Sequence, residues 1–127
     1  MANELILIVE DNEKNLKLVR DVLQYKGYQT VEAGTGEDGV RLAKERTPDL
    51  ILMDIQLPGM DGITALGVLR ADPATRAIPV MAVTASAMTH DRKKIMAAGF
   101  DGYQSKPIKV KEFLGAVREM LDQRAAK

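Results

Sequence analysis

The run Leu5-Ile6-Leu7-Ile8-Val9 ends abruptly in Glu10-Asp11, and this junction sets the reading of the rest of the chain. Five consecutive apolar residues suit a central strand covered on both faces, and two adjacent carboxylates at its end belong at a boundary, not in a core. Outward from there, the pattern switches repeatedly between short apolar runs and helical spacing, the signature of strands and helices alternating around a parallel sheet. The first helix carries Leu16, Val19 and Leu23 on one stripe and stops at Gly27. Tyr28 to Ala33 reads as a more exposed edge strand, and its helix runs from about Glu37 to Arg46, halted by Pro48.

Leu50 to Met53 repeats the opening pattern, with Asp54 at its carboxyl end. Gln56 to Gly62 holds Pro58 and two glycines and reads as a loop, with Asp61 placed to cap a helix bearing Ile63, Leu66 and Leu69 that ends at Asp72-Pro73. Val80 to Val83 is the fourth strand, with Thr84 at its end, followed by a helix over Thr89 to Ala98 that stops at Gly99. The fifth strand spans Gly102 to Ser105 and leads into Lys106-Pro107. A final helix has Val110, Phe113, Leu114, Val117, Met120 and Leu121 at helical spacing, and residues 124–127 are expected to fray. Five strand–helix units are expected to make an α/β, doubly wound five-stranded sheet, with one domain expected over residues 1–123 and no output domain expected.

Composition narrows the function. Of 127 residues 46% are hydrophobic, enough for one core without staples, and 18 basic residues balance 18 acidic ones. That balance removes the basic footprint of a nucleic-acid binder. The chain has no cysteine, and neither a signal peptide nor a run of the roughly 20 apolar residues that spans a membrane is evident. A cytoplasmic location is expected.

Ligand sites of doubly wound sheets lie outside the carboxyl ends of the strands, and the unusual residues fall there. Glu10 and Asp11 follow strand one, Asp54 ends strand three, Thr84 ends strand four and Lys106 follows strand five. Three converging carboxylates repel one another unless a cation sits among them. Mg²⁺ fits, because it takes hard oxygen ligands and keeps positions for water or phosphate. Asp54 is then placed as a nucleophile able to form an aspartyl-phosphate, with the Lys106 ammonium and the Thr84 hydroxyl set to meet the phosphoryl oxygens. Taken singly, each residue has a plainer reading. Glu10-Asp11 could be a solvated helix start, Thr84 a capping hydroxyl, Lys106 a surface lysine and Tyr103 filler at the sheet edge. Their joint placement reverses that reading. His90, the only histidine, lacks companions for a transition-metal site, and Met53, Met81, Met88 and Met96 read as core or rim filler.

The stretches Val9-Glu10-Asp11-Asn12, Leu52 to Gly62, Val83-Thr84-Ala85 and Ser105-Lys106-Pro107 resemble the receiver domain of two-component response regulators, over essentially the whole chain. The resemblance implies the flavodoxin-like strand order 2-1-3-4-5. It implies that Glu10, Asp11, Asp54 and the Gln56 carbonyl hold Mg²⁺, that Asp54 is phosphorylated by a histidine kinase or histidine phosphotransfer protein, and that Thr84 and Lys106 bind the phosphoryl group. It also implies a cis bond before Pro107 and a switch role for Tyr103. The Asp11-to-Asn15, Gly27-to-Thr30 and Pro48-to-Pro58 segments most resemble the DivK kind of single-domain regulator of polar differentiation and the cell cycle. Receivers of hybrid kinases share the Asp11-Asn12 and Asn15 pattern, so a receiver excised from one stays open.

With Leu16, Val19 and Leu23 supplying the core stripe, Leu18 is expected on the surface. A phosphodonor's helical bundle would dock there, near Asn15, Leu18 and the loop at Pro107. A separate output protein is expected on the face of helix four, strand five and helix five, including His90, Lys94, Tyr103 and Lys109, on a chain that is monomeric or weakly dimeric. A small Mg²⁺-dependent phosphatase is disfavoured because Gln56 stands where that class places its second acid. A flavin carrier is disfavoured by an aromatic content of 4%.

Overall fold

The structure, a computed structural model, describes residues 3–84, 89–106 and 108–125. Its elements follow in strict alternation: β1 (Leu5–Val9), α1 (Glu13–Tyr25), β2 (Gln29–Ala33), α2 (Gly36–Arg46), β3 (Leu50–Asp54), α3 (Gly62–Ala71), β4 (Val80–Thr84), α4 (Thr89–Ala97), β5 (Gly102–Ser105) and α5 (Val110–Ala125). All strand pairs are parallel and the order is β2-β1-β3-β4-β5. The chain moves outward from β1 to β2, then crosses back over β1 to β3, so the direction of winding reverses between β1 and β3. A crevice opens there at the carboxyl ends of those strands.

Side chains alternate across each strand, and the two faces build two cores. Leu7, Val9, Ile51, Met53, Val80 and Ala82 pack with Ala43, Leu66, Leu69 and Ile95 of α2, α3 and α4. Ile6, Ile8, Leu50, Leu52, Met81 and Val83 pack with Val19 and Leu23 of α1 and Phe113, Val117 and Leu121 of α5. Each fully buried Leu, Ile or Phe contributes about 1.5–3 kcal/mol, and this explains why β1 and β3 read as unbroken apolar runs. They are covered from both sides.

Helix ends follow local chemistry. Asn12, Thr35 and Asp61 cap α1, α2 and α3, their side chains accepting from the backbone N–H of Asn15, Asp38 and Thr64. The Thr64 N–H bond holds the Asp61 carboxyl below the usual range. Gly27 follows α1 at φ 92°, a left-handed conformation that a Cβ disfavours.

Several expectations need correction. Tyr28 precedes β2, its backbone N–H closing the end of α1 on the Leu23 carbonyl. The α2 helix ends at Arg46 as expected, closed by Thr47, a left-handed cap at φ 41° whose N–H bonds the Ala43 carbonyl just before Pro48. The last helix extends to Ala125, two residues beyond the domain end expected at 123. Val110 leaves the core stripe: it lies 44% exposed at the first turn of α5, while Val117 on the same stripe is fully buried. Among the described residues no helix is long and apolar enough to cross a membrane.

Candidate functional site

Three strand ends supply the centre of the site. The Asp54 carboxylate closes β3 and is buried. Glu10 follows β1, its N–H still bonded to the Ala33 carbonyl, and is equally buried; Asp11, next along, is exposed. One carboxylate oxygen from each of Glu10, Asp11 and Asp54 lies within 4.8 Å of the others. Lys106 follows β5, anchored by its N–H to the Thr84 carbonyl at 2.8 Å. Its ammonium reaches back to Glu10 Oε1 at 2.6 Å and Asp54 Oδ2 at 2.9 Å. The remaining oxygens are also held: Asn12 N–H donates to Glu10 Oε2 at 3.1 Å and Gln56 N–H to Asp54 Oδ1 at 3.0 Å.

Burial pushes the Glu10 carboxyl above its ordinary range, only partly offset by the hydrogen bond from Lys106. For Lys106, burial works against the charge, but the bonds to Glu10 and Asp54 outweigh it and raise its pKa. The ammonium is therefore secure. It balances one charge of three, so a cluster of hard oxygen donors with surplus negative charge remains, spaced to share one small cation. That donor set fits Mg²⁺.

Thr84 is fully buried at the end of β4, one residue beyond the Val83 that lies in register with Asp54. Tyr103, in register with Ala82 on β5, is half-buried against the α2–α3–α4 core, and the Arg92 guanidinium lies 5.5 Å above its ring. Asn15 is half-buried and Leu18 is 43% exposed on α1, as the core-stripe argument expects. Gln56 is exposed and Lys94 and Lys109 lie on the surface. Pro107, with its expected cis bond, and Met88 lie outside the described residues, as does the side chain of His90. Met53 and Met81 are buried, whereas Met96 is 40% exposed.

Sequence reasoning missed the direct grip of Lys106 on Glu10 and Asp54, having placed its ammonium against phosphate alone. Opposite charges at converging strand ends were a usable signal for that contact. Nothing in the sequence signals Arg92 over Tyr103, which depends on how α4 lies across β5.

Residues 6–118 match the family described as the response regulator receiver domain. The chain is 46% identical over 116 residues to the polar-differentiation response regulator DivK of Brucella ovis and of Brucella abortus, covering 91% of this chain and 94% of theirs. Among solved structures it is similar to the receiver domain of a sensor histidine kinase from Pseudomonas aeruginosa, described with a magnesium ion coordinated in its active-site cleft (35% identity, TM-score 0.88, 95% of this chain and 99% of that one). It is also similar to a CheY-like receiver protein from Methanospirillum hungatei (27% identity, TM-score 0.89, 98% of each chain). Members of this family are signalling switches, not conventional enzymes, and bind Mg²⁺ at an acidic site. A match running from β1 into α5, with identity to DivK regulators far above what a shared fold alone requires, shows that this chain belongs to the receiver domain family of two-component response regulators.

Proposed function

We propose that the chain is a phosphorylation-driven switch in which Asp54 accepts a phosphoryl group from a histidine kinase or histidine phosphotransfer protein. The observation that carries this reading is the buried Asp54 carboxylate, clustered with Glu10 and Asp11 and held at 2.9 Å by the Lys106 ammonium. Glu10, Asp11, Asp54 and the Gln56 carbonyl would hold Mg²⁺, which when bound neutralises charge on the phosphoryl oxygens. An Asp54 oxygen attacks phosphorus as the P–N bond of the phosphohistidine breaks and the imidazole leaves. Lys106 already touches the carboxylate that becomes phosphorylated, so a small swing brings its ammonium onto a phosphoryl oxygen. Thr84 offers its hydroxyl to another.

The phosphodonor docks beside the site on Asn15 and Leu18 of α1 and on the loop at Pro107. The output is a change in how the α4–β5–α5 face, with Tyr103 at its centre, binds a separate protein in the cytoplasm. Similarity to DivK over nearly its full length supports a stand-alone regulator of that kind. Similarity to a sensor-kinase receiver supports a second reading, the receiver of a hybrid histidine kinase. Acetyl phosphate with Mg²⁺ should add one phosphoryl group by intact-mass measurement, and a chelator or Asp54→Asn should abolish it. Undiminished labelling of Asp54→Asn would overturn the assignment.

A further inference from the structure

Gln56, whose carbonyl is proposed to meet Mg²⁺, sits in the loop of residues 55–61 between β3 and α3. The base of this loop is tied down by hydrogen bonds, Gln56 N–H to Asp54 Oδ1 and Gly62 N–H to the Ile55 carbonyl, each at 3.0 Å. Its outer part rests on the first turn of α2. Gly36 is buried there, and a Cβ on it would stand 2.6 Å from the Met60 carbonyl oxygen and 3.3 Å from the Met60 Cβ and Cγ. That oxygen belongs to the backbone and cannot rotate aside, so the loop lies where it does because residue 36 has no side chain. The next residue, Glu37, sets a carboxylate oxygen 3.3 Å from the place a Cβ on Gly59 would take.

This seat is itself anchored. Thr35 caps α2 by accepting from the Asp38 N–H. Gly39, three residues after Gly36, lies so close to β1 that a Cβ there would meet Val9 Cγ2 at 2.8 Å. The Ala33 carbonyl, three residues before Gly36, accepts from the Glu10 N–H at 3.0 Å. The corner between β2 and α2 therefore touches both sides of the acidic crevice, Glu10 through Ala33 and the Gln56 loop through Met60. Displacing the loop bears hardest on a small ion. Mg²⁺ demands a near-ideal octahedron, whereas Ca²⁺ accepts a larger and more irregular shell of oxygens.

We propose that Gly36 is a positioning residue for the metal site: by admitting the Met60 backbone it seats the β3–α3 loop, and through that loop it sets the Gln56 carbonyl and the preference for Mg²⁺ over Ca²⁺. The assignment rests on the Mg²⁺ site proposed above and adds to it a residue that touches neither metal nor phosphate. Gly34, two positions earlier, has nothing within 4 Å of its notional Cβ and serves as the contrast.

The test titrates the full chain, ¹⁵N-labelled, with Mg²⁺ and separately with Ca²⁺, following the amides of residues 10–12 and 54–57. Gly36→Ala should shift the amides of 56–61 before any metal is added. It should weaken Mg²⁺ by about tenfold and Ca²⁺ much less, while Gly34→Ala behaves as the wild type. Met60→Ala, at a half-buried loop position that the fold tolerates, loosens the same seat from the other side and should lower Mg²⁺ affinity by about threefold, again sparing Ca²⁺. Unchanged Mg²⁺ affinity in Gly36→Ala, or in Met60→Ala should the first variant not fold, overturns the role of Gly36 and leaves the metal site standing. Equal losses for the two ions also overturn it, since they report a general loosening of the crevice. A wild type that takes up no Mg²⁺ overturns the metal reading and this proposal together.

Discussion

Gly62 opens α3 against the end of β3, its N–H bonded to the Ile55 carbonyl at 3.0 Å. A Cβ there would collide with the Asp54 carbonyl oxygen and stand 2.9 Å from the Ile55 Cα, both backbone atoms that cannot swing aside. Gly67, one and a half turns further along α3, has nothing within 4 Å of its notional Cβ. Opposite outcomes are therefore expected from the same substitution. Gly62→Ala should destabilise by about 1–3 kcal/mol through overpacking, whereas Gly67→Ala should stabilise by about 0.5–1 kcal/mol because alanine suits a helix interior and restricts the unfolded chain. Urea midpoints measure both. Equal shifts of the two would show that the Gly62 contact is absorbed by movement of the loop after β3. At this scale the sequence exposed residue types but not contacts. Lys106 was legible as a basic residue at a strand end, while its bond to Glu10, 96 positions away, was not.

At the scale of elements, α1 shows what periodicity can decide. Val19 and Leu23 are buried, Leu16 is half-buried against the same core, and Leu18 is left on the surface. An exposed leucine beside the acidic crevice, on a helix otherwise presenting Lys14, Lys17 and Asn15, makes a small apolar contact point for the proposed phosphodonor. Leu18→Asp should slow transfer from the cognate kinase by about tenfold or more while acetyl phosphate labels Asp54 normally. Loss with both donors would mean a damaged fold and would remove the docking assignment. On α5 the same periodicity misplaced Val110, because helical spacing tells which residues share a stripe and not how much of that stripe its neighbours cover. The end of α2 at Arg46 was legible from Pro48, whereas the left-handed conformation of the Thr47 cap was not.

Across the whole molecule the question is how a charge placed at one strand end becomes a change of surface. Thr84 is buried at the end of β4, and Lys106 hangs from its carbonyl, so the two groups proposed to meet the phosphoryl oxygens are joined through one backbone hydrogen bond. Tyr103 lies one strand over, with Arg92 of α4 on its ring. Under the proposed function, a shift of Thr84 toward the phosphoryl group would alter the space beside β5. A coupling of about 1–3 kcal/mol is enough to change partner affinity from several-fold to about a hundredfold. Thr84→Ala should accept phosphate more slowly and lose most of the amide shifts that beryllofluoride, an acyl-phosphate mimic, produces over residues 92–106. Identical shifts in wild type and Thr84→Ala would show that the signal takes another route.

By itself the sequence determined the five strand–helix units, the placement of Glu10, Asp11, Asp54, Thr84 and Lys106 at strand ends, and, through motif resemblance, the family. These features are local or periodic: apolar runs report burial on two faces, and polar residues at their ends report where burial stops. The tertiary structure alone decided which strand ends meet and what each side chain touches. The Lys106 grip on two carboxylates and the Arg92–Tyr103 contact join residues on different elements. Such relations arise from packing geometry, which periodicity along a single segment does not encode.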